Sequence, residues 1–160
     1  MTVSVGGQIP DAGVMIMGGS GPESAQTANM FAGKKVALFA VPGAYTPTCS
    51  AKHLPGFIDK ADALKAKGVD EIICMSVNDI FVMDAWGKDH NADGKVTMIA
   101  DGNGDFAKAL GLELDATGFG MGHRSQRFSI YAENGEVKIL NVEAPGAFEV
   151  SSAEHMLGQL

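Results

Sequence analysis

Residues 35–49 read KVALFAVPGAYTPTC, and the change of pattern inside this stretch decides how the chain is built. Val36 to Val41 is a continuous apolar run of strand length, as a strand covered on both faces requires. Pro42 and Gly43 break the run. Thr46 then suits a helix N-cap, and Pro47 fits the first helical position, where its missing N–H costs nothing. Cys49 therefore falls inside the first helical turn. Unsatisfied amides and the helix dipole favour negative charge there, so the thiolate is the favoured form of this side chain.

Alternating elements extend outward from this unit. A helical stretch from about Thr46 to Lys67 is expected to break at Pro55 and to stop at Gly68. Glu71 to Val77 (EIICMSV) reads as a second buried strand, and Asn78 or Asp79 as the cap of a helix from Ile80 to about His90. Val96 to Ala100 is a third strand and Asp105 to Leu110 a short helix, followed by a glycine-rich loop from Ala116 to Arg124. Arg127 to Ala132 and Glu136 to Val142 flank Asn134-Gly135, a strong hairpin signal. Ser151 and Glu154 form an S-x-x-E capping box before a last helix reaching Leu160. Before the opening unit, Gly13 to Met17 suits a strand, Gly18 to Pro22 a turn, and Glu23 to Phe31 a short helix closed by Gly33. The order predicts an α/β fold: a mixed sheet flanked by helices on both faces, thioredoxin-like in its closing hairpin and helix. One domain is expected to occupy residues 1–160, with neither repeat nor linker.

Composition bounds the function. Hydrophobic residues make up 46% of the 160 and charged residues 19%, a balance that excludes disorder. Twelve basic against nineteen acidic residues give a net charge of −7, so no nucleic-acid partner is expected. No apolar run approaches the roughly 20 residues of a membrane helix. No Lys or Arg precedes Lys34, which gives neither a signal nor a transit pattern and an expectation of cytoplasmic residence. The two cysteines, Cys49 and Cys74, are too few for a disulfide framework, and no C-x-x-C is present. Cys74 lies mid-strand between Ile73 and Met75 and reads as a small buried hydrophobe. His53, four residues after Cys49, pairs with it too poorly to announce a metal site, because no further ligands cluster nearby.

The spacing Pro42-x-x-x-Thr46-x-x-Cys49 resembles the active-site signature of the peroxiredoxins, thiol-dependent peroxidases on a thioredoxin-like fold. The longer segment from Val41 to Phe57 (VPGAYTPTCSAKHLPGF) is similar to the type-five, or type II, subfamily. The likeness continues through Leu64 to Gly68, Cys74 to Asp79, Trp86-Gly87 and Arg127-Phe-Ser129. It implies that Cys49 is the peroxidatic cysteine, that Thr46 supplies a hydroxyl to the peroxide and that Pro42 shields the pocket. It also implies that Arg127 holds the peroxide and favours the thiolate, and that Gly43 and Phe119 line the substrate pocket.

The expected activity is reduction of hydrogen peroxide and organic hydroperoxides through a Cys49 sulfenic acid, with no cofactor and no metal. Glutathione with glutaredoxin, or thioredoxin, would serve as reductant, and a homodimer is expected by the same resemblance. Some members of the subfamily carry a resolving cysteine where this chain has Ser151, and others a second cysteine matching Cys74. Since Ser151 cannot resolve and Cys74 is held mid-strand, a one-cysteine cycle is expected. A thiol–disulfide exchanger is disfavoured by Thr46 standing where the first cysteine of a C-x-x-C would be. A redox sensor passing the oxidation of Cys49 to a partner need not turn over with small thiols, whereas a peroxidase must.

Overall fold

The computed structural model describes all 160 residues. Its centre is a seven-stranded mixed sheet in the order β2-β1-β5-β4-β3-β8-β9. The inner strands are β3 (Lys35–Ala40), β4 (Glu71–Ser76) and β5 (Thr97–Ala100), paired in parallel. β8 (Phe128–Glu133) joins β3 antiparallel, and β9 (Glu136–Val142) extends that edge through the Asn134-Gly135 turn, both of whose φ angles are positive. On the opposite side, β1 (Gly13–Gly18) runs antiparallel to β5 and pairs with β2 (Gly21–Gln26).

Side chains of β3 alternate between two apolar layers, as strand geometry demands. Ala37 and Phe39, with Val41 just beyond, face helices α2 (Leu54–Asp59), α3 (Ala61–Ala66), α4 (Ile80–Asp89) and α6 (Ala153–Gln159). Val36, Leu38 and Ala40 face α1 (Thr27–Phe31) and α5 (Asp105–Leu110). Helices thus cover both faces, and the thioredoxin-like layout read from the sequence is the one observed. No helix is long and apolar enough to cross a membrane.

Four local expectations need correction. Only Thr27–Phe31 of the helix expected from Glu23 is helical; Glu23 to Gln26 belong with Gly21 and Pro22 to the edge strand β2, whose backbone groups pair with β1, Ile16 opposite Glu23. Its polar, exposed side chains carry no strand signal, as suits a sheet edge. The long helix does not break at Pro55. A π turn (Cys49–His53) widens the chain just ahead of it, with the Leu54 amide donating to the Cys49 carbonyl, and Pro55 sits within the first turn of α2. In a regular helix the proline ring would meet the carbonyl four residues back, so one added residue per turn relieves the clash. The glycine-rich loop carries a 3₁₀ turn at Thr117–Phe119 and is closed at its base by two short paired strands, β6 (Glu113–Asp115) and β7 (His123–Ser125). Finally, Ser152, not Ser151, caps α6, its hydroxyl oxygen accepting the His155 amide.

Candidate active site

At the carboxyl end of β3 the chain turns through Pro42 to Thr46 into the helix that carries Cys49. Three contacts from the α4 side fix this loop and the helical turn that follows it. The Ala44 amide donates to Asn78 Oδ1 at 3.0 Å, the Tyr45 hydroxyl to Asp89 at 2.5 Å, and the Trp86 indole to Ser50 Oγ at 2.9 Å. Tyr45 is held at a φ of 65°, which few residues adopt without such support. Asn78 does not cap α4; Asp79 does, accepting the Val82 amide.

Cys49 is fully buried, and its sulfur receives two donors. The Thr46 hydroxyl lies 2.7 Å from Sγ and 2.7 Å from the Gly43 carbonyl. One hydroxyl proton cannot serve both: with a thiolate it points at sulfur, and with a thiol S–H donates to the hydroxyl, which passes its own proton to Gly43. Arg127 Nη2 donates to Sγ at 2.9 Å. Arg127 reaches the site because Phe128 pairs with Ala40, which sets the preceding residue beside the end of β3. A cation, a hydroxyl and a helix start converge on one sulfur, and each of the three interacts favourably with negative charge there.

The second prong of the guanidinium was not foreseen. Arg127 Nη1 lies 2.8 Å from His53 Nδ1, and His53 Nε2 lies 2.9 Å from the Ser151 carbonyl. A carbonyl only accepts and a guanidinium only donates, so Nε2 carries the proton and Nδ1 offers its lone pair. Burial first, and the neighbouring Arg127 second, push the His53 pKa down to about 3. Phe148 packs against both, its ring centroid 5.0 Å from the imidazole ring and 5.8 Å from the guanidinium carbon. Spacing alone suggested a poor metal partner for Cys49; the helical offset that placed both side chains on one face was the available signal, and the chemistry assigned to it was incomplete. No group of three or more His, Cys, Asp or Glu side chains is arranged to hold a metal ion.

Behind His53, the Glu143 carboxylate accepts the amides of Glu149, Val150 and Ser151 and the Ser151 hydroxyl. Burial opposes its ionisation, yet these hydrogen bonds outweigh it and hold the carboxyl below the usual range. Ser151, the position of a resolving cysteine in some relatives by resemblance, is thus committed to a buried anchor.

The remaining candidates divide. Pro42 is half-buried and Gly43 buried at the base of the site. A Cβ on Gly43 would stand 3.2 Å from Arg124 Nη1, 3.2 Å from Thr46 Cγ2 and 3.3 Å from Met121 Cε. Phe119 does not line this space: it is 86% exposed on the 3₁₀ turn, and Met121 and Arg124 of the same loop approach instead. Cys74 faces the same apolar layer as Cys49 but is free and wholly buried, and burial pushes its thiol well above the ordinary range.

The family profile described as Redoxin matches residues 4–157. The chain belongs to that family, among the peroxiredoxins. Peroxiredoxin-2B of Arabidopsis thaliana is 50% identical over 159 residues, covering 99% of this chain and 98% of that one. Reduced Prx3 from Vibrio vulnificus, solved in complex with H2O2, matches with a TM-score of 0.95 at 53% identity over 99% of each chain. A Plasmodium falciparum antioxidant protein titled a 1-Cys peroxiredoxin matches with a TM-score of 0.88 at 30% identity over 96% of each chain. As a peroxiredoxin, the protein is a thiol-dependent peroxidase.

Proposed function

We propose that Cys49 is the peroxidatic nucleophile, acting on hydrogen peroxide and small organic hydroperoxides. The observation that carries this reading is the pair of donors on its sulfur, the Thr46 hydroxyl and Arg127 Nη2. Sγ attacks the terminal peroxide oxygen in line, the S–O bond forms as the O–O bond breaks, and the leaving hydroxide or alkoxide recovers from solvent the proton that the thiol gave up on ionising. Cys49 is left as a sulfenic acid, oxidised by two electrons while the peroxide is reduced by two. Thr46 and Arg127, which donate to Sγ, are the donors beside the attacked oxygen and serve the charge that develops there. Pro42 and Gly43 wall the pocket, and since Cys49 is fully buried, peroxide entry requires side-chain movement around it.

The proposed cycle uses one cysteine. Cys74 is protonated in an apolar layer and Ser151 has no thiol, so an external thiol attacks the sulfenic acid, releasing water and leaving a mixed disulfide. A second thiol then restores Cys49. Glutathione with glutaredoxin is the reductant proposed, with thioredoxin as the other arm of the test. A homodimer belongs to the same reading, supported by the exposed Tyr45 and Phe119 on the loops beside the site; sedimentation velocity checks it. Peroxide consumption by the purified protein, run with glutathione plus glutaredoxin against thioredoxin and with a Cys49→Ser control, tests the function. Mass spectrometry after one equivalent of peroxide tests the cycle: a glutathione adduct or sulfenic acid on Cys49 supports it, and a rapid Cys49–Cys74 disulfide within one chain refutes it.

A further inference from the structure

Arg127 is half-buried and has no carboxylate partner. The ion pairs of the structure are Lys34–Glu71, Lys88–Asp84 and Lys138–Glu136, all elsewhere. A guanidinium in this setting is commonly fixed by a bidentate carboxylate, which orients it and at the same time neutralises it. Here the fixing group is an imidazole. Its Nε2–H is committed to the Ser151 carbonyl, its Nδ1 lone pair receives Arg127 Nη1, and Nη2 is left aimed at sulfur. The Ser151 carbonyl is itself immobilised, because Glu143 gathers the amides of residues 149–151 and the Ser151 hydroxyl.

We propose that His53 is a positioning residue for the peroxidase reaction: a neutral acceptor that aims Arg127 at Cys49 while leaving the whole guanidinium charge to the sulfur. The inference rests on Cys49 being the reacting thiol. The imidazole is wholly buried against three aromatic rings, Phe39, Phe57 and Phe148, with centroids 4.9, 5.7 and 5.0 Å away. The charged groups that act on it are Arg127 and Glu143, and the Glu143 carboxylate is already occupied by four donors.

Three substitutions in the full chain separate this role from simple packing. His53→Gln keeps a neutral side chain that donates to the Ser151 carbonyl and accepts from Arg127. His53→Glu keeps an acceptor but adds a negative charge. His53→Leu fills the space with neither. The readouts are the pH midpoint of Cys49 alkylation by iodoacetamide and the second-order rate with hydrogen peroxide at pH 7. His53→Gln should stay near the parent in both. His53→Glu should raise the midpoint by about one pH unit or more, because the new carboxylate shares the guanidinium charge. His53→Leu should lose about tenfold or more in rate, since a charge-assisted hydrogen bond no longer holds the donor in line. A parent-like midpoint in His53→Glu overturns the proposal, as does a His53→Gln protein no better than His53→Leu. If His53→Leu does not fold, the Gln and Glu pair decides alone. A parent protein that alkylates normally but consumes no peroxide would defeat the peroxidase reading instead, and the alkylation midpoints would still judge His53.

Discussion

Removing the Arg127 side chain isolates one of the two donors on the Cys49 sulfur. In Arg127→Ala the 2.9 Å bond to Sγ disappears, and His53 Nδ1 loses its donor as well. A hydrogen bond to a charged group is worth about 1.5–3 kcal/mol. A unit-charge pair near 4 Å gives about 1 kcal/mol in bulk water and about 4 at the effective dielectric of a protein surface. Cys49 is buried and Arg127 half-buried, so a loss near 2 kcal/mol from the thiolate is the central expectation, bracketed by both routes. At about 1.4 kcal/mol per unit, the alkylation midpoint of Cys49 should rise by about 1.5 pH units. The peroxide rate at pH 7 should fall further, by about 10²–10³, because the same donor serves the transition state. Arg127→Lys should recover the charge but not the rate, since one ammonium cannot reach sulfur and imidazole with a planar fork. Iodoacetamide kinetics from pH 4 to 9 and stopped-flow peroxide reduction, both in a Cys74→Ala background, supply the numbers. An Arg127→Ala protein with an unmoved midpoint and an unmoved rate would refute the reasoning.

Three further outcomes are expected. Cys49→Ser should abolish peroxide consumption with the circular dichroism spectrum unchanged, whereas Cys74→Ala should keep most of the activity; the reverse pattern in a coupled assay would exchange their roles. Gly43→Ala should slow peroxide reduction with little change in melting temperature, because its Cβ would crowd Thr46, Met121 and Arg124 at 3.2–3.3 Å while the backbone there needs no positive φ; a full parental rate would show that these side chains yield freely. The third is acid stability. His53 is held near 3 against about 6.5 when unfolded, so the unfolded chain takes up a proton that the folded one refuses. Stability is therefore complete above about pH 6.5 and should fall by about 2 kcal/mol by pH 5, above the range where Glu143 begins to contribute. Urea midpoints at pH 7 and pH 5 should differ in the parent and much less in His53→Gln; equal losses in the two proteins would contradict it.

The buried strands were legible because Val36 to Val41 and Ile72 to Met75 are apolar without a break, which only a doubly covered strand tolerates. Pro47 and Cys49 were legible for a local reason, since first-turn and dipole effects act within one turn, whereas the Thr46 hydroxyl, read as a helix cap, bonds Cys49 Sγ and the Gly43 carbonyl instead of a first-turn amide. Arg127 needed the resemblance, because its approach to Cys49 is made by sheet pairing across 78 residues. β2 was misread because an exposed edge strand has no apolar alternation to display. Phe119 is a pocket residue by the resemblance alone, but with Gly120 and Gly122 both at positive φ the neighbouring Met121, not Phe119, is the one that comes close to Gly43. His53 was undervalued because its meaning comes from two partners, Arg127 and Ser151, that lie far along the chain.

The burial of Cys74 gives the protein a built-in clock for its own breathing. Its thiol sits in the middle of β4, with Phe39 beside it on β3 and Met98 on β5, and the folded state offers a labelling reagent no path to it. In a Cys49→Ser chain it is the sole sulfhydryl, so each modification event records an opening of the sheet interior. Pulsed exposure to a maleimide as temperature or urea rises would then convert label uptake into the free energy of that opening. Heat that frays only the edge hairpin would leave the count at zero, whereas separation of the parallel strands would raise it to one per chain.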